Sequence, residues 1–532
     1  MNISTMSEEN LKRFGEFESF YYEGRWITNV ETHQAANRLG NLLRDLGVKK
    51  GDRVVTQLLN CPEIIASFPA INRIGGAIVP LSPLLRPDQA SYVFRDCGAK
   101  VIITSSLFLD AVRKAKENAP KLQHIILVDQ DDVPDTVSYR KRVAEFPSEI
   151  DTVETDNEDT AALIYTAGTT GKPKGVIHTH FSIYINALAL YEFLLVSRQR
   201  TLTQTISEID PKSLRRVEEK VVVSGLDRAR TVLFVLPLSH SYGISVMYVG
   251  ALTGDKAVVF PRWDVVKALQ AIEAFRIESM SFVPTMYIQM LNHPDFDRFN
   301  LSSLRHCSCG AAPLPLEIAR QWEQRVGVAI REGWGMTETG ATTCTQPFDR
   351  PQKYGSIGKS IYKCNTVKIF DEQEREAAAY ETGEIVVKGP TVMKGYWNKP
   401  DETEQTLKNG WLYTGDVGYK DEDGYIFITD RKKDIIIRGG ENVSPREVEE
   451  VLYQHPKIAE AGVIGIKDAV FGEEIKAFIV LKAGQTVETD EIMEFCKERL
   501  PSFKRPKVIQ VLDALPRSPV GKVLRYELRK IG

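Results

Sequence analysis

A chain of 532 residues exceeds what one compact hydrophobic core organises, so two or more domains are expected. Its 43% hydrophobic and 26% charged content is ordinary globular composition, which excludes a disordered or fibrous chain. A formal net charge of −3 supplies no global field for nucleic acid, so any polyanionic ligand must be met by local charge.

The seven cysteines are scattered, and Cys307 and Cys309 enclose a single residue, which is neither a CxxC pair nor a zinc spacing. Free thiols in a reducing compartment are expected. The N-terminus (MNISTMSEENLKRFGEFESF) is polar and acidic rather than a signal peptide. No apolar run reaches the ~20 residues of a membrane helix. A soluble, cytoplasmic protein without a transmembrane segment is expected.

In chain order, ETHQAANRLGNLLRDLG (31–47) reads as an amphipathic helix, GDRVVTQLL as a strand and EIIASFPAINRIG as a second helix. GAIVPL, KVIITS and HIILVD follow as short buried strands, and TVLFVLPL, KAVVF, SMSFVP and VAIREGW extend the series to about residue 340. Strands alternating with helices indicate βαβ units and a mostly parallel sheet. Residues 196–230 are charged and poor in large apolar side chains, as in a solvated surface insertion. From 354 to 430 the pattern becomes strand and turn, suggesting a β-rich lobe. Beyond Arg431 the character changes again: Ser444 reads as an N-cap, Pro445 as the first helical residue and Glu447 as the closing member of a capping box. The fold class is therefore α/β, a large body (1–430, with the β-rich lobe at about 354–430) followed by a small α+β domain (431–532).

The run from Tyr165 to Gly175 (YTAGTTGKPKG) follows the apolar strand AALIY and precedes an apolar helical stretch. Its glycines permit a tight turn whose N–H groups face an anion, its threonines add hydroxyl donors, and Lys172 and Lys174 add charge. It lacks the Gly-Lys-Ser/Thr of a Walker A loop. It resembles the phosphate-binding signature of the adenylate-forming superfamily of acyl-CoA synthetases, luciferases and peptide-synthetase adenylation domains. Ala167 stands where that motif often has Ser, which removes one hydroxyl donor and leaves the others.

Segments resembling that superfamily occur in its order from about residue 40 to the end. By this resemblance Thr166, Gly168, Thr169, Thr170, Gly171 and Lys174 bind ATP phosphates. Gly310, Ala311 and Ala312 form the adenine turn. The run Glu332, Gly333, Trp334, Gly335, Met336 resembles the central signature, with Trp334 where Tyr is more usual; either ring can stack on adenine or wall the acyl site. Thr337 would contact the α-phosphate and Glu338 would help hold Mg²⁺. Asp416 would accept the ribose hydroxyls, with Ile428 beside the nucleotide and Arg431 reaching the ribose or α-phosphate. Lys522, on the Gly-containing loop of the last motif, would act in adenylation. His240, Tyr242, Thr285 and Gly310 are acyl-site candidates.

The resemblance further implies that the small domain rotates about Lys433, withdrawing Lys522 and bringing Arg438, Gly439 and Gly440 to the site for coenzyme A. The expected activity is an ATP-dependent acyl-CoA synthetase that uses Mg²⁺ and passes through an acyl-adenylate. A medium- or long-chain fatty acid is favoured, in a monomer or homodimer. Aryl-acid ligation, loading of a carrier protein and a catalytically silent nucleotide-binding regulator are the alternatives.

Overall fold

The computed structural model describes residues 1–166, 172–197, 229–348, 350–361, 364–518 and 521–531. Its first helix pair shows why the sequence folds locally as it does. Thr28 and Glu31 exchange side-chain and backbone bonds in a capping box that starts the helix Asn29–Asp45. That helix buries Leu39, Leu42 and Leu43, spaced for one face, against Ile64, Phe68 and Ile71 of the helix Pro62–Arg73.

The described strands assemble into four sheets. One carries the parallel strands Ala77–Pro80, Arg53–Gln57, Val101–Thr104 and His124–Leu127, each buried on both faces as helix-covered parallel strands are. A second is parallel through Lys256–Val259, Thr231–Phe234, Ser279–Phe282, His306–Cys309 and Ile330–Trp334. Along Ser279–Phe282 and His306–Cys309 burial alternates. Met280, Phe282, Cys307 and Cys309 enter the core with Tyr287 and Trp322, which leaves Ser279, Ser281, His306 and Ser308 on the opposite face.

Two smaller sheets complete the molecule. The β-rich lobe pairs Thr366–Phe370, Gly383–Lys388, Trp411–Lys420 and Ile426–Arg431 antiparallel. The C-terminal sheet, from Ile436 onward, pairs Ile458–Asp468 with Gly472–Leu481 over eleven residues of strand and buries Val463, Ile475 and Ala477 under the helix Pro445–Tyr453. The α/β architecture expected from strand–helix alternation is present, with a separate small C-terminal fold.

Two local expectations are modified. The phosphate-loop run does not pass directly into a helix: Thr160–Thr166 and Lys174–Thr179 form an antiparallel hairpin, and the helix His180–Ser197 begins only afterwards. The β-branched Val176, Ile177 and Thr179 suit that extra strand. At the second helix start Ser444 accepts from the Glu447 amide as expected, but the Glu447 carboxylate binds Lys504 instead of closing the box. All seven cysteines are unpaired and six of them are buried. Most of the 196–230 insertion lies outside the described residues, and no described helix is long and apolar enough to cross a membrane.

Candidate active site

A cavity of about 920 Å³ opens over the C-terminal ends of the second sheet's parallel strands and runs back along its exposed face. Such strand ends are where open α/β sheets place ligands. Four elements converge on the mouth. His240 caps the helix Ser241–Thr253, its Nδ1 accepting the Tyr242 amide at 3.3 Å. That bond fixes the neutral tautomer and leaves Nε2–H as a donor for a ligand. Burial, followed by the nearby Lys522 ammonium, pushes the His240 pKa down to about 4. The imidazole is therefore uncharged at neutral pH and offers a hydrogen bond rather than a charge.

The turn after His306–Cys309 brings Gly310 so close to Tyr242 that a Cβ there would lie 3.3 Å from the ring, and Ala311 adopts a left-handed conformation at φ 68°. Both line the cavity, while Ala312 does not. After Ile330–Trp334 the chain must pass against its own return: a Cβ on Gly335 would sit 1.4 Å from the Ala341 carbonyl oxygen, so only glycine fits. Gly333, Trp334, Gly335, Met336, Thr337 and Glu338 all line the cavity. The Thr337 carbonyl accepts the buried His178 ring at 2.7 Å, which anchors the turn from beneath.

Glu338 is nearly fully buried, and burial raises its pKa, opposed by its own backbone amide and then by the Tyr396 hydroxyl, which donates to Oε1 at 2.8 Å. Among the described residues no three His, Cys, Asp or Glu side chains converge as a metal cage. A single carboxylate facing a nucleotide-sized cavity is nevertheless what Mg²⁺ uses when phosphate oxygens and waters supply its other ligands.

The fourth element comes from the small fold. Lys522 lines the cavity with Arg431, Lys432 and Lys433. Its pKa falls to about 8, first through burial and then through Arg431, with Asp416 acting in the opposite direction. Gly521, at φ 76°, packs so tightly on Thr285 that a Cβ would approach its Oγ1 to 2.7 Å. Thr285 thus supports the lysine loop and is not among the cavity-lining residues. Asp416 and Arg431 are cross-strand partners whose charged groups meet at 2.7 Å. Asp416 itself is 3% exposed beneath that arginine.

Other expected residues stand elsewhere. Thr166 and Lys174 line the cavity, whereas Gly168, Thr169, Thr170 and Gly171, with Ala167, lie outside the described residues. Glu332 points away: it accepts the Leu314 amide at 3.2 Å, and burial lifts its pKa to about 7. Ile428 packs with the lobe core. Arg438 pairs with Glu474 at 2.7 Å and lies over the Phe471 ring, and Gly439 and Gly440, both left-handed, are exposed away from the cavity. Lys522 is thus inside and the Gly439–Gly440 turn outside in this arrangement.

The sequence reading missed Tyr396, which touches both sides of the site. Besides bonding Glu338, its ring lies 5.1 Å from the Lys174 ammonium, and its strand Gly395–Tyr396 pairs with Lys174–Thr179. The Gly-Tyr-Trp run at 395–397 was the available signal, but a two-residue strand carries no periodicity. The apolar lining of the cavity was also unassigned: Phe193, Leu194, Val246 and Met247 line it together with Ser279, Ser281 and Ser308.

Comparison with known proteins fits this geometry. The AMP-binding enzyme family matches residues 7–397, and the AMP-binding enzyme C-terminal domain matches 447–522. A long-chain-fatty-acid–CoA ligase of Bacillus subtilis is 34% identical over 99% of this chain and 94% of its own length. The 4-coumarate-CoA ligase 1 of Narcissus pseudonarcissus is 31% identical over 96% and 89%. The crystal structure of the anthranilate CoA ligase AuaEII in complex with anthranoyl-AMP superposes with a TM-score of 0.88 at 28% identity, covering 100% of this chain and 97% of that one. The chain belongs to the AMP-binding enzyme family, within the adenylate-forming superfamily.

Proposed function

We propose that this ATP-dependent, AMP-forming acid–thiol ligase activates a medium- or long-chain fatty acid. The acid and ATP give acyl-AMP and pyrophosphate; coenzyme A then displaces AMP to give the acyl-CoA. The observation that carries the reading is the insertion of Lys522 into the mouth of the cavity beside His240, with an apolar-walled compartment continuing behind them.

Adenylation presses a carboxylate against a polyanion, so the protein's task is to supply positioned donors and cations rather than a base. Neutral His240 donates from Nε2 to the acid, Lys522 and Arg431 offset charge on the α-phosphate, and Thr337 and Lys174 orient the phosphate chain. Glu338, held by Tyr396, would contribute one ligand to Mg²⁺, which when bound neutralises phosphate charge. In the second step Lys433 serves as the hinge between 1–430 and 431–532, exchanging Lys522 for Arg438, Gly439 and Gly440 as the wall of a coenzyme A channel.

An alkyl tail suits the rear compartment because Tyr242, Ser281 and Ser308, polar groups of its lining, are engaged with one another. Ser308 donates to Ser281 at 2.9 Å and lies 3.3 Å from the Tyr242 hydroxyl, while Phe193, Leu194, Val246 and Met247 supply apolar wall. The same Tyr242–Ser308 pair favours a second reading, an aryl acid whose ring hydroxyl joins that network; ligases named for coumarate and anthranilate are among the similar proteins. ATP–pyrophosphate exchange over straight alkanoic acids, benzoates and cinnamates decides between them. Turnover rising with chain length supports the first reading, and a narrow preference for ring acids refutes it. Absence of exchange with every acid, alongside nucleotide binding, would leave only a regulatory role.

A further inference from the structure

Trp334 occupies the position where a ring is expected to stack on adenine, yet its polar edge is committed elsewhere. Its indole Nε1–H donates to Asp416 Oδ2 at 2.9 Å, and both residues are buried, at 9% and 3% exposure. The ring packs with Val176, Cys344, Ile357 and Met393 at the junction of the second sheet and the β-rich lobe. The bond therefore ties the last parallel strand of one sheet to the long strand Trp411–Lys420 of another. The other carboxylate oxygen is held differently. Oδ1 lies 2.7 Å from Arg431 Nε but accepts no aligned hydrogen bond, and the arginine above it is 36% exposed.

We propose that Trp334 is a positioning residue for nucleotide recognition: its indole N–H fixes the Asp416 carboxylate so that Oδ1 is presented to a ribose hydroxyl once Arg431 moves to the phosphate. A buried carboxylate tied at only one oxygen by a rigid donor keeps its rotamer when the exposed arginine leaves. Without that donor it is free to rotate after its mobile cation. A tyrosine ring at this position cannot place a donor at the same point of the junction, since its hydroxyl stands at the ring's far end. The inference rests on the proposed role of Asp416 as the ribose acceptor.

The test compares kcat/KM for ATP with that for 3′-deoxy-ATP and 2′-deoxy-ATP in pyrophosphate exchange. Trp334→Phe removes the N–H. Replacement of Trp334 by β-(3-benzothienyl)alanine removes it while preserving the bicyclic shape, which covers the case where phenylalanine perturbs folding. In both variants the preference for ATP over a deoxynucleotide is expected to fall by about tenfold, the scale of one hydrogen bond to a charged group. Equal weakening of all three nucleotides, with the ratio unchanged, would overturn the proposal and leave Trp334 as a packing or stacking ring. Asp416→Asn separates the two layers: if it too leaves the ratio unchanged, the ribose reading of Asp416 fails, whereas if it collapses the ratio and the Trp334 variants do not, only the positioning role fails.

Discussion

Replacing Lys522 by alanine should separate the two half-reactions. In the arrangement seen here burial, and after it the nearby Arg431, with Asp416 opposing, lowers the Lys522 pKa from 10.5 to about 8. Keeping the proton on the buried lysine therefore costs about 3 kcal/mol, which bound phosphates would offset. The sign follows directly. Because the inserted lysine binds protons less tightly than the withdrawn one, insertion without ATP is opposed at neutral pH and becomes easier as pH rises from about 8 towards 10.5. Adenylation needs the charged form, so kcat/KM for ATP should fall as pH rises through about 8. Loss of one positioned cation from a water-poor site should lower the adenylation rate by about a hundred- to a thousandfold. ATP–pyrophosphate exchange measures that step, and thioester formation from a synthetic acyl-adenylate measures the other, which should change little. Equal loss in both assays would refute the assignment of Lys522 to one step and, with it, the two-arrangement scheme.

Lys433→Pro should do the reverse. The amides of Lys432 and Asp434 bond the Gly415 and Arg431 carbonyls; proline at 433 freezes the φ that rotation must change, and it also strains the Arg431–Asp434 turn by pushing Lys432 towards extended backbone. Pyrophosphate exchange should persist and acyl-CoA release, followed chromatographically, should cease. His240→Ala should raise the KM for the acid by about tenfold with a smaller change for ATP, as expected for one lost hydrogen bond to a carboxylate. Because the His240 pKa is lowered to about 4, the wild-type pH profile should show no limb near 6.5, and its acid limb should appear only as pH falls towards 4; a limb at 6.5 abolished in His240→Ala would contradict the neutral tautomer.

Much of the candidate site's lining was legible in the sequence because its motifs are local. Gly333–Thr339 and the turn at Gly310 act through backbone shape, and a glycine whose Cβ would strike Ala341 leaves a mark at one position that reading can find. The α/β class and the separate C-terminal fold likewise follow from pattern, since strand alternation and helix caps are properties of neighbours along the chain. What reading could not supply depends on residues distant in the chain. Trp334 and Asp416 are 82 residues apart, Tyr396 and Glu338 are 58 apart, and nothing local in either segment announces the bond. The tertiary structure alone decided that Thr285 supports Gly521, that Glu332 holds Leu314, and that Lys522 stands inside while Gly439 and Gly440 stand outside. The sequence by itself determined which chemistry-bearing groups the protein owns, because those are covalent facts of the chain. Which of them meet, and which protonation states they hold, was decided by packing, because burial and the approach of distant charges set both.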